Sequence, residues 1–321
     1  MEEKIYDVII LGGGPAGLSA AIYARRAKLD ALIIEKGECG GEILKTPRVD
    51  NYPGGIKGES GAELIERMRE QAESFGCEFA SDSVMMANLD VDKEDSIKTL
   101  FGQKGAYKAK AIIIATGHGP GDIPKPLGIK GEEQFTGAGV SYCATCDAAF
   151  FTGSEIIAIC EDKNALEEAM YLDDFASRLY LLTSKSRLIG DKELIEKAES
   201  SDKIEIVPDT SVKEIIGEGI SNGVIAENVK TGESLEIKSD IADGTMGVFI
   251  FAGNFPQTKM FEGAIDMEDG YIVTDENMRT NIPLVYAAGD VRKKSLRQIV
   301  TAAADGAIAA TSAKKDVGEI K

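Results

Sequence analysis

The stretch IYDVIILGGGPAGLSAAIYARRAKLDALIIE, residues 5–35, decides the fold of this chain. It opens with an apolar, β-branched run (5–11) and passes through a glycine-rich turn (12–17). An alanine-rich helical segment follows, and a second apolar run ends at Glu35. The order strand, glycine turn, helix, strand is a βαβ unit, and its G-x-G-x-x-G turn predicts a dinucleotide-binding site.

Each position of this turn has a predicted role. Gly12 permits the tight turn, Gly14 lets a pyrophosphate approach the backbone, and Gly17 lets the helix pack close to the strand. The helix N-terminus then faces the phosphates. Glu35 lies 18 residues after Gly17, where a carboxylate can accept hydrogen bonds from ribose hydroxyls. A glycine turn alone could be structural, and the βαβ setting favours the binding site.

Composition limits the class of protein. The chain has 321 residues, enough for about two domains, and a net charge of −18, which argues against nucleic-acid binding. No apolar run approaches the length of a membrane span, and the acidic start lacks the basic region of a signal peptide. Five sparse cysteines fit a cytoplasmic protein better than a disulfide scaffold. With His118 as the one histidine, a multi-histidine metal centre is excluded, and we predict no metal site.

The far end of the chain indicates which dinucleotide binds. Residues 282–290 are a strand that ends in Gly289-Asp290, and a helix rich in small residues follows over 296–310. An aspartate at a strand end can hold a sugar-chain hydroxyl, and a helix N-terminus near Gln298 would stabilise charge on a reduced flavin. These features favour FAD.

A pair of thiols lies in the middle of the chain, in the segment Cys143-Ala-Thr-Cys146-Asp147. Cysteines at i and i+3 can close a small disulfide ring, which indicates a redox dithiol. A C-x-x-C pair can also be half of a zinc or iron–sulfur site, but Cys39, Cys77 and Cys160 are isolated and supply no second pair. Asp147 is a candidate general acid, or else a solvated loop carboxylate.

Together these motifs resemble the low-molecular-weight thioredoxin reductases along essentially the whole chain. The matching segments are 12–17, Glu35, 51–54, 115–117, 143–147, 247–253 and 289–302. The resemblance implies an α/β fold with two Rossmann-like three-layer domains, FAD, a homodimer and thioredoxin as electron acceptor. It also implies an FAD-binding domain (1–117 and 248–321), a central dithiol domain (121–243) and hinge linkers (118–120 and 244–247).

The resemblance also implies functional residues. Cys143, Cys146 and Asp147 are the expected catalytic residues, with Cys146 the better candidate for the flavin side. The expected FAD-binding residues are Gly12, Gly14, Pro15, Ala16, Gly17, Glu35, Lys36, Gly41, Glu42, Asn51, Thr116, Gly117, Gly289, Asp290, Arg297, Gln298, Ile299 and Thr301.

The central domain departs from the family pattern. Members that use NADPH carry a second glycine fingerprint there, and this chain has Cys160 and Asp162 at its first two glycine positions. Where the family has His-Arg-Arg and a later arginine, residues 183–187 read Thr-Ser-Lys-Ser-Arg. This pattern resembles the ferredoxin-dependent flavin thioredoxin reductases, which do without a pyridine nucleotide. The basic run 292–297 is a candidate surface for an acidic ferredoxin, or a solvated loop.

The leading hypothesis from sequence is therefore an enzyme that passes electrons from reduced ferredoxin through FAD and the Cys143/Cys146 dithiol to thioredoxin. One alternative is an NAD(P)H-dependent thioredoxin reductase with a divergent nucleotide site. Another is a non-catalytic flavin–dithiol protein that senses redox state.

Overall fold

The computed structural model describes residues 4–89, 97–120, 128–240, 244–251 and 254–319. The chain divides into two compact units. Unit 1 comprises Met1–Gly121 and Phe255–Lys321, and unit 2 comprises Asp122–Asn254.

The helices and strands alternate along most of the chain. Before residue 121 they are β1 (Ile5–Leu11), α1 (Pro15–Arg26), β2 (Ala31–Glu35), α2 (Gly61–Ser74), β3 (Glu78–Ser81), β4 (Val84–Asn88), β5 (Lys98–Gly102), β6 (Ala106–Ile114) and β7 (His118–Pro120). Between residues 128 and 251 they are α3 (Glu132–Phe135), β8 (Val140–Ser141), α4 (Ala144–Asp147), β9 (Glu155–Ile159), α5 (Lys163–Tyr171), β10 (Arg178–Leu182), α6 (Lys192–Ser200), β11 (Ile204–Val207), β12 (Thr210–Glu218), β13 (Ile220–Asn228), β14 (Ser234–Lys238) and β15 (Met246–Ile250). The remaining elements are β16 (Asn254–Pro256), β17 (Met267–Glu268), β18 (Tyr271–Ile272), β19 (Val285–Ala287) and α7 (Ile299–Glu319).

Unit 1 is built on a seven-stranded mixed sheet in the order β3-β2-β1-β6-β5-β4, with β19 also paired to β6. Strands β1, β2, β3, β6 and β19 are parallel, and β4 and β5 extend the sheet in antiparallel fashion. The central strands are continuous apolar runs because both faces of the sheet are buried. One core cluster packs α1, α2 and α7 on one face, and a second covers the other face.

Local sequence explains where the two long helices of the first βαβ region begin. Helix α1 starts at Pro15, a residue whose fixed φ suits the first helical turn. Helix α2 starts after Ser60, whose hydroxyl accepts the N–H of Glu63 while the Glu63 carboxylate accepts the N–H of Ser60. This reciprocal capping satisfies two backbone donors that a helix N-terminus leaves open.

Unit 2 has its own parallel sheet of five strands in the order β11-β10-β9-β15-β8, and a three-stranded antiparallel sheet, β12-β13-β14. Two core clusters made only of unit 2 residues cover this parallel sheet. The predicted fold class, α/β with two Rossmann-like domains, is thereby confirmed.

The chain returns to unit 1 later than the sequence predicts. The expected FAD domain resumes at residue 248, but the strand Met246–Ile250 pairs with Glu155–Ile159 in the unit 2 sheet. The division falls instead between Asn254 and Phe255. The apolar run 248–251 is compatible with either sheet by composition. Its pairing with β9 assigns it to the sheet of unit 2. The predicted boundaries at residues 121 and 243, and the motif residues 252–253, lie outside the described residues.

Among the described residues, no helix is both long enough and apolar enough to cross a membrane.

Candidate functional site

The glycine turn of unit 1 lies between β1 and α1 and leaves no room for a side chain at Gly12 or Gly17. Gly12 has a φ of 111°, and a Cβ there would lie 2.2 Å from the carbonyl oxygen of Ala115. A Cβ on Gly17 would lie 1.9 Å from the carbonyl oxygen of Gly12. Gly14 is the N-cap of α1, and no side chain caps that helix. The first turn of α1 therefore keeps N–H groups available for a phosphate.

Glu35 fixes the shape of this turn. Its carboxylate accepts the N–H of Gly13 at 2.8 Å and the N–H of Gly37 at 3.1 Å. Each carboxylate oxygen can accept more than one hydrogen bond, so Glu35 can still accept a ribose hydroxyl. The predicted neighbour Lys36 is exposed.

The end of β19 brings the second FAD motif to the same sheet. The N–H of Gly289 donates to Asp305 at 3.1 Å, and a Cβ on Gly289 would lie 2.8 Å from the Cβ of Ala16. Next to it, Oδ1 of Asp290 is buried and has no hydrogen-bond partner among the described residues. Burial raises the pKa of the Asp290 carboxyl to about 6, and the nearby cations of Lys294 and Arg297 oppose that rise.

A second buried polar atom without a partner lies nearby in sequence. Nε of Arg297 has no acceptor among the described residues, and the guanidinium carbon lies 4.0 Å from the ring centroid of Tyr271. Tyr271 in turn shares a 3.0 Å hydrogen bond with His118. Burial, and to a lesser extent Arg297, lowers the pKa of His118 to about 4, so the imidazole is neutral at pH 7.

These observations test whether FAD fits unit 1. A buried polar atom without a partner is costly, and a bound ligand with hydroxyl and carbonyl groups can supply the missing partner. The two unpartnered atoms, the close-packed glycine turn and the uncapped α1 suit a flavin dinucleotide, so the residues present fit the group.

Several other predicted FAD residues are held by the protein. Asn51 donates to the Gln298 side chain at 2.9 Å, and the hydroxyl of Thr116 donates to the carbonyl of Gln257 at 2.8 Å. The hydroxyl of Thr301 accepts the N–H of Gln298 at 3.2 Å, just before α7. The remaining predicted residues are Gly41 and Glu42 in a short 3₁₀ helix, Gly117 with a φ of 69°, and Ile299 at the start of α7. Their roles stay predictions.

The two central cysteines form a disulfide in unit 2. Cys143 and Cys146 are joined at an S–S distance of 2.09 Å, Cys143 is half-buried and Cys146 is exposed. The pair belongs to a single helical turn, Ala144–Asp147, with Cys143 as its N-cap. An exposed disulfide of this kind can be reached by another molecule.

Asp147 directly follows Cys146, the second cysteine of the disulfide. Burial raises the pKa of its carboxyl, and the hydroxyl of Ser141 opposes this by donating to it at 2.6 Å. The same Ser141 oxygen accepts the N–H of Cys143 at 3.2 Å. Sequence reasoning missed Ser141, and a serine two residues before the first cysteine was the available signal.

The isolated thiols are packed as their sequence context suggests. Burial raises the pKa of Cys77 to about 12 and also raises that of Cys39 and Cys160. Within the described ranges, no group of three or more histidine, cysteine or acidic side chains is arranged to hold a metal ion.

The central turn of unit 2 is filled by its own side chains. Cys160 is buried, and the Asp162 carboxylate caps α5 by accepting the N–H of Ala165 at 2.9 Å. Glu161 accepts two hydrogen bonds from Ser184, from the N–H at 2.9 Å and from the hydroxyl at 2.6 Å.

The basic run 292–297 is not a free cationic surface. Lys294 and Arg292 both pair with Asp305, at 2.7 and 3.2 Å, and the Lys294 side chain is only 8% exposed. Lys293 pairs with Glu268 at 2.7 Å and lies 3.4 Å from Asp269. The candidate ferredoxin surface is wrong because these three cations are neutralised within unit 1.

Comparison with known proteins now gives the class. A family model described as pyridine nucleotide-disulphide oxidoreductase matches residues 6–306, so the chain belongs to that family. Within it, the chain is 46% identical over 316 residues to the thioredoxin reductase of Peptoclostridium acidaminophilum, covering 98% of each chain. The crystal structure of thioredoxin reductase from Streptococcus pyogenes MGAS5005 has a TM-score of 0.85 at 40% identity, with 98% of each chain covered.

The chain is therefore a flavoprotein disulfide reductase of the thioredoxin reductase family, and FAD is its cofactor.

The same comparisons correct the finer assignment. A ferredoxin–flavin thioredoxin reductase from Clostridium acetobutylicum is 30% identical with a TM-score of 0.52, over 99% of each chain. The higher identities, 46% and 40%, are to proteins named simply thioredoxin reductase. The assignment to the ferredoxin-dependent, pyridine-nucleotide-independent branch is wrong. Its basis was the altered central turn together with residues 183–187. In that turn Asp162 caps α5 and Glu161 accepts a hydrogen bond from Ser184, and these structural uses do not identify a branch.

Proposed function

We propose that this chain reduces thioredoxin with electrons from a reduced pyridine nucleotide, NADH or NADPH. The observation that carries the proposal is the exposed Cys143–Cys146 disulfide with Asp147 beside it, in a chain that binds FAD. Relatives named thioredoxin reductase support the acceptor, and the family description supports the donor. A cytoplasmic location, where thioredoxin is kept reduced, belongs to the same proposal.

In the overall reaction, one nucleotide is oxidised and one disulfide is reduced. The nucleotide gives up a hydride and solution supplies one proton, so the thioredoxin disulfide becomes two thiols. FAD, when bound, supplies the two-electron link between the nucleotide and the Cys143–Cys146 disulfide. The N-terminus of α1 would hold the diphosphate of FAD, and the Asp290 carboxylate would accept a hydrogen bond from one of the FAD hydroxyl groups.

The residues of unit 2 account for discharge to thioredoxin. One thiolate of the reduced pair attacks the substrate disulfide and forms a mixed disulfide, with one thioredoxin sulfur leaving as a thiolate. The second cysteine then attacks the mixed disulfide, which restores the Cys143–Cys146 bond and releases the other thioredoxin sulfur as a thiolate. Asp147, whose pKa is raised by burial, would donate a proton to the departing thiolate. Phe150, 63% exposed and close in sequence, offers an apolar contact for the protein substrate.

A homodimer is part of the proposal. Helices α1 and α7 of unit 1 expose Tyr23, Val300 and Ile308, at 48%, 41% and 38%. Exposed apolar side chains on neighbouring helices are typical of a subunit interface. Sedimentation of the FAD-loaded protein should give twice the 34.2 kDa chain mass, and a monomer at micromolar concentration would contradict this part.

The first test is anaerobic reduction of the bound flavin. Mixing the FAD-loaded protein with NADH or NADPH should bleach flavin absorbance, and adding oxidised thioredoxin in molar excess over the nucleotide should restore it. In the double variant Cys143→Ser with Cys146→Ser, the nucleotide should still bleach the flavin while thioredoxin reduction falls at least 1,000-fold.

Two results would contradict the proposal. If neither nucleotide bleaches the flavin of the wild-type protein, the donor is wrong. If the flavin is reduced but the serine variant reduces thioredoxin at the wild-type rate, the dithiol is not the route.

A further inference from the structure

A serine two residues before the dithiol links the first cysteine of the pair to the carboxylate that follows the second. Oγ of Ser141 accepts the N–H of Cys143 at 3.2 Å and donates to Oδ2 of Asp147 at 2.6 Å. A hydroxyl has a single hydrogen to donate. The carbonyl of Cys143 is the other acceptor within reach, and it lies at 3.4 Å, so the shorter distance assigns that hydrogen to Asp147.

Ser141 is held by the sheet of unit 2, whereas Asp147 lies on a short element. Ser141 is the last residue of β8, pairs with Phe249 of β15 and is only 4% exposed. Asp147 ends α4, a helix of one turn. A side chain on such a short element gains a defined position from a partner on a rigid strand. Ser141 therefore restrains the Asp147 carboxylate beside the dithiol turn.

The elements packed around Asp147 bring no cation to its carboxylate in the part of the chain that the structure describes. Helix α5 packs against α4 through apolar side chains: Ala165, Leu166, Ala169 and Met170. The ionisable side chains of α5 are exposed: Lys163, Glu167, Glu168 and Tyr171. The 3₁₀ turn Ala148–Phe151 and strands β8 and β15 have no ionisable side chain, and the hydroxyl of Tyr142 donates to Glu132 at 2.9 Å.

We infer that Ser141 is a positioning residue that holds the Asp147 carboxyl for proton transfer and sets the pH range in which that carboxyl can donate. The inference rests on the proposed function and names the residue that controls its proton donor. In the step concerned, the Asp147 carboxyl gives its proton to a thioredoxin sulfur that leaves as a thiolate, and that sulfur becomes a thiol. The Asp147 carboxylate then regains a proton from solution.

The Ser141 hydroxyl acts on Asp147 in two ways. Burial raises the pKa of the Asp147 carboxyl, and the hydrogen bond from Ser141 opposes that rise, because such a bond is stronger to the charged carboxylate than to the neutral acid. Without Ser141, the carboxyl keeps its proton to a higher pH. It also loses the restraint from β8, so it donates more slowly at any pH at which it is protonated.

The experiment measures discharge of the reduced dithiol to oxidised thioredoxin from about pH 5 to about pH 9. Each FAD-loaded protein is reduced with dithiothreitol, freed of it and mixed anaerobically with thioredoxin, and the thioredoxin thiols formed are counted after an acid quench. The proteins are wild type, Ser141→Ala, Asp147→Asn and the double variant. The control, Ser221→Ala, removes another buried serine of unit 2, whose hydroxyl donates to the carbonyl of Met246 at 2.7 Å.

The quantity compared is the rate advantage of Asp147 over asparagine at each pH, with Ser141 present and with Ser141→Ala. With Ser141 present, the advantage should fall as rising pH ionises Asp147. With Ser141→Ala, it should be about tenfold smaller at the lowest pH and should fall to half at a pH about one unit higher. In the Asp147→Asn background, Ser141→Ala should change the rate less than about threefold, because the proton donor is already absent.

A second pair of variants covers the case in which Ser141→Ala does not fold, which circular dichroism shows. Threonine and valine have nearly the same shape and differ by a hydroxyl, and both suit a strand. Ser141→Thr should keep the wild-type pH dependence, and Ser141→Val should show the losses expected of Ser141→Ala.

Failure of the inference is distinct from failure of the proposed function. The inference is overturned if Ser141→Ala costs as much in the Asp147→Asn background as in wild type, if the pH dependence does not move, or if Ser221→Ala has the same effects. In each of these cases the reduced pair still discharges to thioredoxin, and the proposed function stands. If the reduced wild-type pair produces no thioredoxin thiols at any pH, the proposed acceptor and the inference fail together.

Discussion

Oδ1 of Asp290 is buried and has no hydrogen-bond partner in the part of the chain that the structure describes, an arrangement that costs stability until a ligand is bound. The nearby Lys294 does not pair with the Asp290 carboxylate, because its ammonium group donates a 2.7 Å hydrogen bond to Asp305. The Gly289–Asp290 turn is thus pinned by Asp305 while the Asp290 carboxylate stays available. Asp290 therefore favours the FAD-bound form of unit 1 and lowers the stability of the form without FAD.

Replacement of Asp290 by asparagine should stabilise the apo-protein in a pH-dependent way. The folded-state pKa of about 6 lies above the ordinary value of 3.8, so folding favours the protonated carboxyl. That contribution is complete below pH 4 and is lost as pH rises through 6, at a cost of roughly 1–3 kcal/mol. Asp290→Asn should therefore gain this amount over wild type at pH 7.5 and very little at pH 4, measured by urea unfolding of the apo-proteins.

The same variant should bind FAD about tenfold more weakly, because an amide oxygen is a weaker acceptor than a carboxylate. Glu276→Gln, which removes an exposed carboxylate from unit 1, is the matched control and should change neither property. An Asp290→Asn protein with wild-type stability at both pH values would show that the carboxylate is not buried in solution.

At the scale of elements, the crossing of α1 and α7 depends on small residues. A Cβ on Gly306 of α7 would lie 2.0 Å from the carbonyl oxygen of Ala16 in α1. This close approach brings α7 against the helix whose N-terminus follows the glycine turn. A larger residue here forces the whole helix to move, because the atoms it would contact belong to the backbone and cannot adopt another rotamer as a side chain can.

Gly306→Ala should destabilise the protein by roughly 3 kcal/mol and lower its FAD affinity, because the overpacked helices must separate. Gly318→Ala, in the same helix, is the control: that glycine is exposed, and outside its own stretch of helix no described atom lies within 4 Å of its Cβ position. The control should gain up to about 1 kcal/mol from helix propensity. Equal thermal stabilities of the two variants would contradict the close crossing.

At the scale of the whole molecule, each core cluster belongs to one unit. Two clusters contain only residues of unit 1, drawn from both of its chain segments, and two contain only residues of unit 2. Unit 2 is one continuous piece of chain, whereas the core of unit 1 needs β19 and α7 from the far end. We therefore expect that the chain segment of unit 2 can fold by itself and that the N-terminal segment of unit 1 cannot.

A fragment of residues 122–254 should fold alone and form the Cys143–Cys146 disulfide without FAD. A cooperative urea transition and a thiol titration before and after reduction measure this. The fragment 1–121, which lacks β19 and α7, should show no cooperative transition. The expectation fails if the first fragment unfolds gradually or the second unfolds cooperatively.

The parts of the site that the sequence could predict are those set by neighbours in the chain. The turn 12–17 and the dithiol 143–147 need only a few consecutive residues, because φ values, helix starts and a small disulfide ring depend on local geometry. The βαβ order of residues 5–35 also predicts that β1 and β2 pair as parallel strands, as they do in the unit 1 sheet. For these features, the structure agrees with the prediction from the sequence.

Features that depend on distant partners could not be predicted in the same way. The sequence run 292–297 predicts a cationic surface, but Arg292 and Lys294 are both held in ion pairs with Asp305, on α7. The sequence predicts that Glu161 repels a phosphate, and only the folded chain shows that Glu161 accepts the N–H of Ser184 beyond the end of β10. A charge acts through its distance to other charges and through its burial, and both are properties of the packed chain. Local patterns specify which chemical groups the protein carries, and packing specifies which of those groups remain available to a ligand.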